Sequence, residues 1–178
     1  QYIADKLKLL NSAELPYRLD GIDEQIALLE EKQDITYHEK QKKAIRNAVC
    51  FGVSIVTGGP GTGKTTVIKA ILDIFDIIGI SYALAAPTGR AAKRMSEASG
   101  REAKTIHRLL EMTYSEEAKP VFSKNADDPL GVKAVVIDEM SMVDTLLMEA
   151  LLRSLKSETI LILIGDVDQL PPVGPGHV

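Results

Sequence analysis

The chain lacks the features that mark secreted, membrane-bound or broadly nucleic-acid-coating proteins. It has one cysteine, Cys50, so no disulfide can form within it. That cysteine reads as a small apolar filler on a helix. The strand-like apolar runs are short, such as residues 160–164, so no transmembrane helix fits and no signal peptide is visible. A cytoplasmic protein is the default expectation, with no membrane partner. Positive charge is not in excess, because the net charge is −4. Internal repeats and low-complexity tracts are also absent. What remains is 178 residues with 45% hydrophobic and 26% charged side chains, the balance of a globular domain with one sizeable core.

Against this background one motif stands out. Gly58-Gly59-Pro60-Gly61-Thr62-Gly63-Lys64-Thr65 is a complete G-x-x-x-x-G-K-[ST] loop. It follows the apolar run Val53-Ser54-Ile55-Val56 and opens an amphipathic stretch near Lys64, which is the strand–loop–helix setting such a loop needs. Glycines allow the tight turn, and the converging N–H groups with the positive helix end make an anion site. Lys64 adds a full charge for the β- and γ-phosphates, the Thr65 hydroxyl is placed to ligate Mg²⁺, and Thr66 adds a phosphate hydrogen bond. The motif therefore predicts a nucleoside-triphosphate binder.

A second constellation lies downstream. Val135-Val136-Ile137-Asp138-Glu139 is an apolar strand ending in two acids. After a phosphate loop, Asp138 is the expected holder of Mg²⁺, and Glu139 the group that orients or deprotonates an attacking water. A third strand, residues 159–165, leads into Asp166-Val167-Asp168-Gln169-Leu170-Pro171-Pro172-Val173. Gln169 at its tip is placed to hydrogen-bond a γ-phosphate or the water, and the prolines stiffen the segment behind it. Charge is also unevenly spread. Residues 86–108 hold Arg90, Lys93, Arg94, Arg101, Lys104 and Arg108 against Glu97 and Glu102, a local +4 beside −8 for the rest. Such an island suits an anion-binding surface, and equally a solvated helix face.

Periodicity organises the rest. Residues 1–35 read as a helical segment, a linker or the tail of a further domain. Ile3, Leu7 and Leu10 lie at helical spacing, Pro16 follows, and a second helix is capped by Asp20 with Ile22, Ile26 and Leu29 on one face. The start at Gln1 suggests a trimmed chain. From residue 36 a second unit begins with the capping box Thr36-Tyr37-His38-Glu39 and a helix reaching Cys50. Strands are predicted over 53–57, 81–85, 134–138 and 159–165. Helices are predicted over 64–78, 89–99, 105–110 and 145–155. This alternation implies an α/β fold with a parallel sheet covered by helices on both faces and ligands beyond the strands' carboxyl ends. Residues 112–131 break the pattern and read as a surface loop or a small hairpin, 111–114 against 120–123. A small-molecule kinase and a non-catalytic nucleotide-binding module remain alternatives to a hydrolase at this point.

Taken together these blocks resemble the first motor domain of a superfamily 1 DNA helicase, in the RecD-like group that includes the α subunit of exodeoxyribonuclease V. The phosphate loop, with Thr66, resembles its motif I. Ala86-Pro87-Thr88-Gly89-Arg90-Ala91-Ala92 resembles motif Ia, and Thr105-Ile106-His107-Arg108-Leu109-Leu110 the short block after it. Asp138-Glu139-Met140-Ser141-Met142-Val143-Asp144 resembles motif II, and Gly165 through Gly174 motif III. The match spans about residues 36–176, and motifs II and III separate it from UvrD-like motors. The resemblance implies a RecA-like P-loop NTPase fold and ATP with Mg²⁺ as cofactors. Gln41 would read adenine, and Thr88, Arg90, Thr105 and His107 would lie along a single-stranded DNA track. It further implies movement 5′ to 3′, a second motor domain bearing motifs IV to VI that no residue here matches, and partnership with recombination-complex subunits. A site without the second domain's arginines lacks a contribution worth roughly 10³–10⁵ in rate. The chain alone is therefore expected to bind Mg·ATP weakly, hydrolyse it slowly and unwind nothing.

Overall fold

The computed structural model describes residues 1–13, 21–58 and 63–166. In chain order the first elements are α1 (Tyr2–Ser12), α2 (Ile22–Gln33), α3 (Glu39–Cys50), β1 (Val53–Thr57) and α4 (Lys64–Ile78). Then come β2 (Tyr82–Ala86), α5 (Gly89–Ser99), β3 (Ala103–Thr105) and α6 (Ile106–Leu109). The last are β4 (Met112–Tyr114), β5 (Pro120–Phe122), β6 (Ala134–Ile137), a 3₁₀ turn (Met140–Met142), α7 (Thr145–Arg153) and β7 (Ile160–Gly165). Among the described residues, five strands form one parallel sheet in the order β1-β7-β6-β2-β3, and β4 with β5 form the small antiparallel hairpin. The α/β architecture is the one the alternation predicts.

Side-chain alternation divides the sheet's two faces. Ile160, Ile162 and Ile164 of β7 join Ala134 and Val136 in a core covered by α2, α3, α4 and Met95 of α5. Leu161 and Leu163 join Val135 and Ile137 in a second core beneath α1, α6 and α7. Both faces of β6 and β7 are thus buried, which is why these strands read as unbroken apolar runs.

The first 35 residues hold no visible chemistry but contribute to both cores. Leu10 of α1 is fully buried in the second core, and Ile26 and Leu29 of α2 are buried in the first. Lys6 Nζ donates to the Leu155 carbonyl at 2.8 Å, and the Arg153 guanidinium lies 4.3 Å from the Tyr2 ring centre. The end of α1 presses so closely on the chain before β1 that a Cβ on Gly52 would sit 1.9 Å from the Leu10 carbonyl oxygen. Only glycine fits there.

Three expectations shift. The capping box sits two residues later than predicted. His38 is extended (φ −67°, ψ 154°), its Nδ1 accepts from Lys40 N at 3.3 Å, and Gln41 Oε1 accepts from His38 N at 2.8 Å. An imidazole nitrogen does here what a hydroxyl usually does. Cys50 is exposed on the last turn of α3, not a filler. Finally, β3 pairs with β2 where no strand was predicted. Three residues are too few to show a period. The cap at Asp20 lies outside the described residues; α2 begins after Gly21 without a side-chain cap.

Candidate active site

All five parallel strands end on one edge, and the candidate residues follow those ends. Register pairs Thr57 with Gly165, Ile137 with Leu163, Ala85 with Ile137, and Ala86 with Thr105. Gly58, Asp166, Asp138, Thr88 and Thr105 therefore stand along the carboxyl edge. Between them lies a cavity of about 260 Å³ lined by Lys64, Thr65, Asp138, Glu139, Asp166 and Arg94, among others. The catalytic and metal candidates Lys64, Thr65, Asp138 and Glu139 are thus brought together from α4 and β6.

Local geometry explains each position. Gly63, at φ 80°, caps α4 in the left-handed region, and its carbonyl accepts from Val67 N at 3.1 Å. Gln41 Nε2 lies 3.5 Å from that same carbonyl, and a Cβ on Gly63 would stand 2.4 Å from Nε2. Gln41 thus joins the start of α3 to the end of the phosphate loop, with its amide oxygen spent on the α3 cap. Lys64, the first residue of α4, points at Asp166 and forms an ion pair with it. Thr65 is exposed beside it and Thr66 half-buried.

Asp138 N donates to Ala85 O at 3.0 Å, tying β6 to β2 one residue beyond the ladder. Glu139 N then donates to Asp138 Oδ1 at 2.7 Å. Glu139 itself has φ 53° and ψ 45°, a left-handed conformation that non-glycine residues rarely take. This bend lets the 3₁₀ turn start at once and aims the carboxylate back into the cavity, where it is 12% exposed. There it forms an ion pair with Arg94 of α5. Asp144 caps α7 by accepting from Leu147 N at 2.7 Å, a structural role for the last acid of this block.

The nucleic-acid candidates cluster beside the cavity. Thr88 caps α5, accepting from Ala91 N at 3.2 Å, and Thr105 caps α6, accepting from Arg108 N at 3.2 Å. Arg90 is exposed and His107 half-buried. The basic island does not act as one surface. Arg101 NH2 donates to Asp73 at 2.6 Å and Asp76 at 2.8 Å. Burial pulls its pKa down, but the bonds to Asp76 and Asp73 outweigh this and hold it above its ordinary value. Lys93 lies 3.9 Å from Glu97, and Arg94 is held by Glu139. Among the described residues, Arg90, Lys104 and Arg108 keep their charges free of ion pairs, and all three are exposed.

Gly59, Pro60, Gly61, Thr62 and Gln169 lie outside the described residues. Two lining groups, Asp166 and Arg94, are not among the site residues that the sequence predicts. Asp166 belongs to the motif III stretch and follows apolar β7 as Asp138 follows β6. Arg94 belongs to the basic stretch of residues 86–108, four residues after Arg90.

Comparison with known proteins agrees with this geometry. A family model described as AAA domain matches residues 41–175. The ATP-dependent RecD2 DNA helicase of Deinococcus radiodurans is 39% identical over 138 residues, 78% of this chain and 19% of its own length. The RecBCD enzyme subunit RecD of Haemophilus influenzae is 35% identical over 204 aligned positions, 100% of this chain and 31% of its own length. The chain therefore spans less than a third of these curated relatives. A crystal structure of Bacteroides Pif1 bound to ssDNA superposes with a TM-score of 0.59 at 27% identity, over 79% of this chain and 34% of that one. No described helix is long and apolar enough to cross a membrane. Phosphate loop, acid-tipped strand and family match converge: the chain belongs to the AAA domain family, as a RecD-like superfamily 1 helicase domain.

Proposed function

We propose that this chain is the ATP-binding motor domain of a longer protein that moves along single-stranded DNA, 5′ to 3′, and acts in recombination or repair. The observation that carries this reading is the convergence of Lys64, Thr65, Asp138 and Glu139 on one cavity at the sheet's carboxyl edge. Lys64 binds the β- and γ-phosphates, displacing Asp166 from its ammonium. The backbone of Gly58, Gly59, Pro60, Gly61, Thr62 and Gly63, with Thr66, cradles the phosphates. Thr65 and Asp138 offer hard oxygen ligands, which suit Mg²⁺ better than a soft metal. When bound, Mg²⁺ neutralises phosphate charge. Glu139 takes a proton from the attacking water, and Gln169 senses the γ-phosphate. Gln41 reads adenine from its place against Gly63.

Thr88, Arg90, Thr105 and His107 contact the phosphates and sugars of one strand, which repeat and so suit movement without sequence preference. The Pif1 structure was obtained with ssDNA, and the two relatives are a RecD2 DNA helicase and a RecBCD subunit, which supports DNA and recombination-complex subunits as partners. They do not favour a kinase or a non-catalytic module. A second motor domain in the longer protein supplies the remaining arginines, so this domain alone binds Mg·ATP weakly and turns it over slowly. ATP hydrolysis by the full-length protein, with and without single-stranded DNA, tests the reading. Strong stimulation that vanishes in Lys64→Ala is expected. An unstimulated rate that survives Lys64→Ala would overturn it.

A further inference from the structure

Glu139 is the group that must accept a proton, yet its carboxylate is held by Arg94. The two partners differ sharply in setting. Glu139 is 12% exposed at the cavity, whereas Arg94 is 62% exposed. Arg94 therefore has room to leave. It stands on α5, four residues and one helical turn after Arg90, so the two guanidinium groups share a face of that helix. Arg90 has no carboxylate partner among the described residues and lies beside the α5 N-cap, Thr88. A phosphate bound at Arg90 is thus one turn from a cation whose present partner is the hydrolytic carboxylate.

We propose that Arg94 is a positioning residue that links DNA to ATP hydrolysis: without DNA it holds Glu139, and with DNA it turns to a backbone phosphate and frees Glu139. This rests on the DNA-motor reading above. Guanidinium groups bind phosphate oxygens as readily as carboxylates, so the exchange replaces one ion pair by another. No bond is made or broken, and only the partner of one cation changes. Holding Glu139 blocks its hydrogen-bonding to water, so turnover without DNA is suppressed.

Linkage gives a test without hydrolysis. If Glu139 and a phosphate compete for Arg94, then removing the Glu139 charge must strengthen DNA binding, and only while Arg94 is present. In the full-length protein, affinity for a fluorescent oligothymidine, measured without nucleotide or Mg²⁺, should rise about twofold or more in Glu139→Gln. It should be unchanged by Glu139→Gln in an Arg94→Ala background. Arg94→Ala alone should weaken binding and flatten the slope of log affinity against log salt by about one. In ATPase assays Arg94→Ala should raise the DNA-independent rate about fivefold or more and shrink the stimulation by DNA. Arg94→Gln serves as a second variant, and melting curves confirm that each is folded.

Three results would overturn the proposal. These are unchanged DNA affinity in Glu139→Gln, equal tightening by Glu139→Gln when Arg94 is absent, and equally slowed hydrolysis with and without DNA in Arg94→Ala. The last would put Arg94 in the hydrolytic machinery itself. A wild-type protein that neither binds single strands nor responds to them would instead sink the DNA-motor reading, and the proposal with it.

Discussion

At the scale of single residues, the site depends on two charges that are already neutralised inside the protein. Lys64 is paired with Asp166 and Glu139 with Arg94. On the proposed reading, nucleotide binding displaces the Asp166 contact and hydrolysis displaces the Arg94 contact. Lys64→Ala should abolish ATP binding, read by a fluorescent ATP analogue. Glu139→Gln should keep binding and lower kcat by roughly 10²–10⁴, the usual contribution of a general base. A Glu139→Gln protein with normal turnover would remove Glu139 from the mechanism. The convergence of Lys64, Asp138 and Glu139 on one cavity was legible in the sequence, because apolar strands ending in polar residues announce themselves. Arg94 was not, because an ion pair across 45 positions leaves no local trace.

At the scale of elements, helices and long strands were readable from their periods, and α4 matches its expected bounds of residues 64–78. The exceptions have physical causes. The α3 cap moved because His38 offers an acceptor nitrogen, and β3 was missed because its pairing to β2 is tertiary rather than local. The packing of α1 was equally hidden, since nothing in residues 1–13 says which face of the sheet they cover. Its closeness to Gly52 makes a sharp prediction. Gly52→Ala should cost about 1–3 kcal/mol in denaturant unfolding, because the Leu10 backbone cannot yield as a side chain would. A change under about 0.5 kcal/mol would mean that α1 is not held there. Arg101 ties the end of α5 to Asp73 and Asp76 of α4, where Gln33 of α2 also reaches Asp73 at 2.9 Å. These groups are partly exposed, so Arg101→Ala should lose about 1 kcal/mol, by the same unfolding measurement. The raised cation pKa means that this contribution is present at neutral pH and is lost as pH rises through the titration of the folded-state guanidinium.

At the scale of the whole molecule, one edge of one sheet holds both the nucleotide cavity and the DNA candidates. Lys64, Asp138 and Glu139 stand beyond β1 and β6, while Thr88 stands beyond β2 and Thr105 ends β3, in direct register with Ala86. The helix α5 spans the two groups, with Thr88 and Arg90 at its start and Arg94 over the cavity. The coupling proposed for Arg94 therefore needs no relay longer than α5. The parallel order β1-β7-β6-β2-β3 also puts the Asp166 end of β7 between the phosphate loop and the Asp138 end of β6. Strand displacement by the full-length protein, on a partial duplex with a 5′ single-stranded tail, tests the motor account most directly. The account predicts ATP-dependent release from the 5′-tailed duplex, little from a 3′-tailed one, and none in Glu139→Gln. Hydrolysis indifferent to DNA, with no strand released from either duplex, would contradict it.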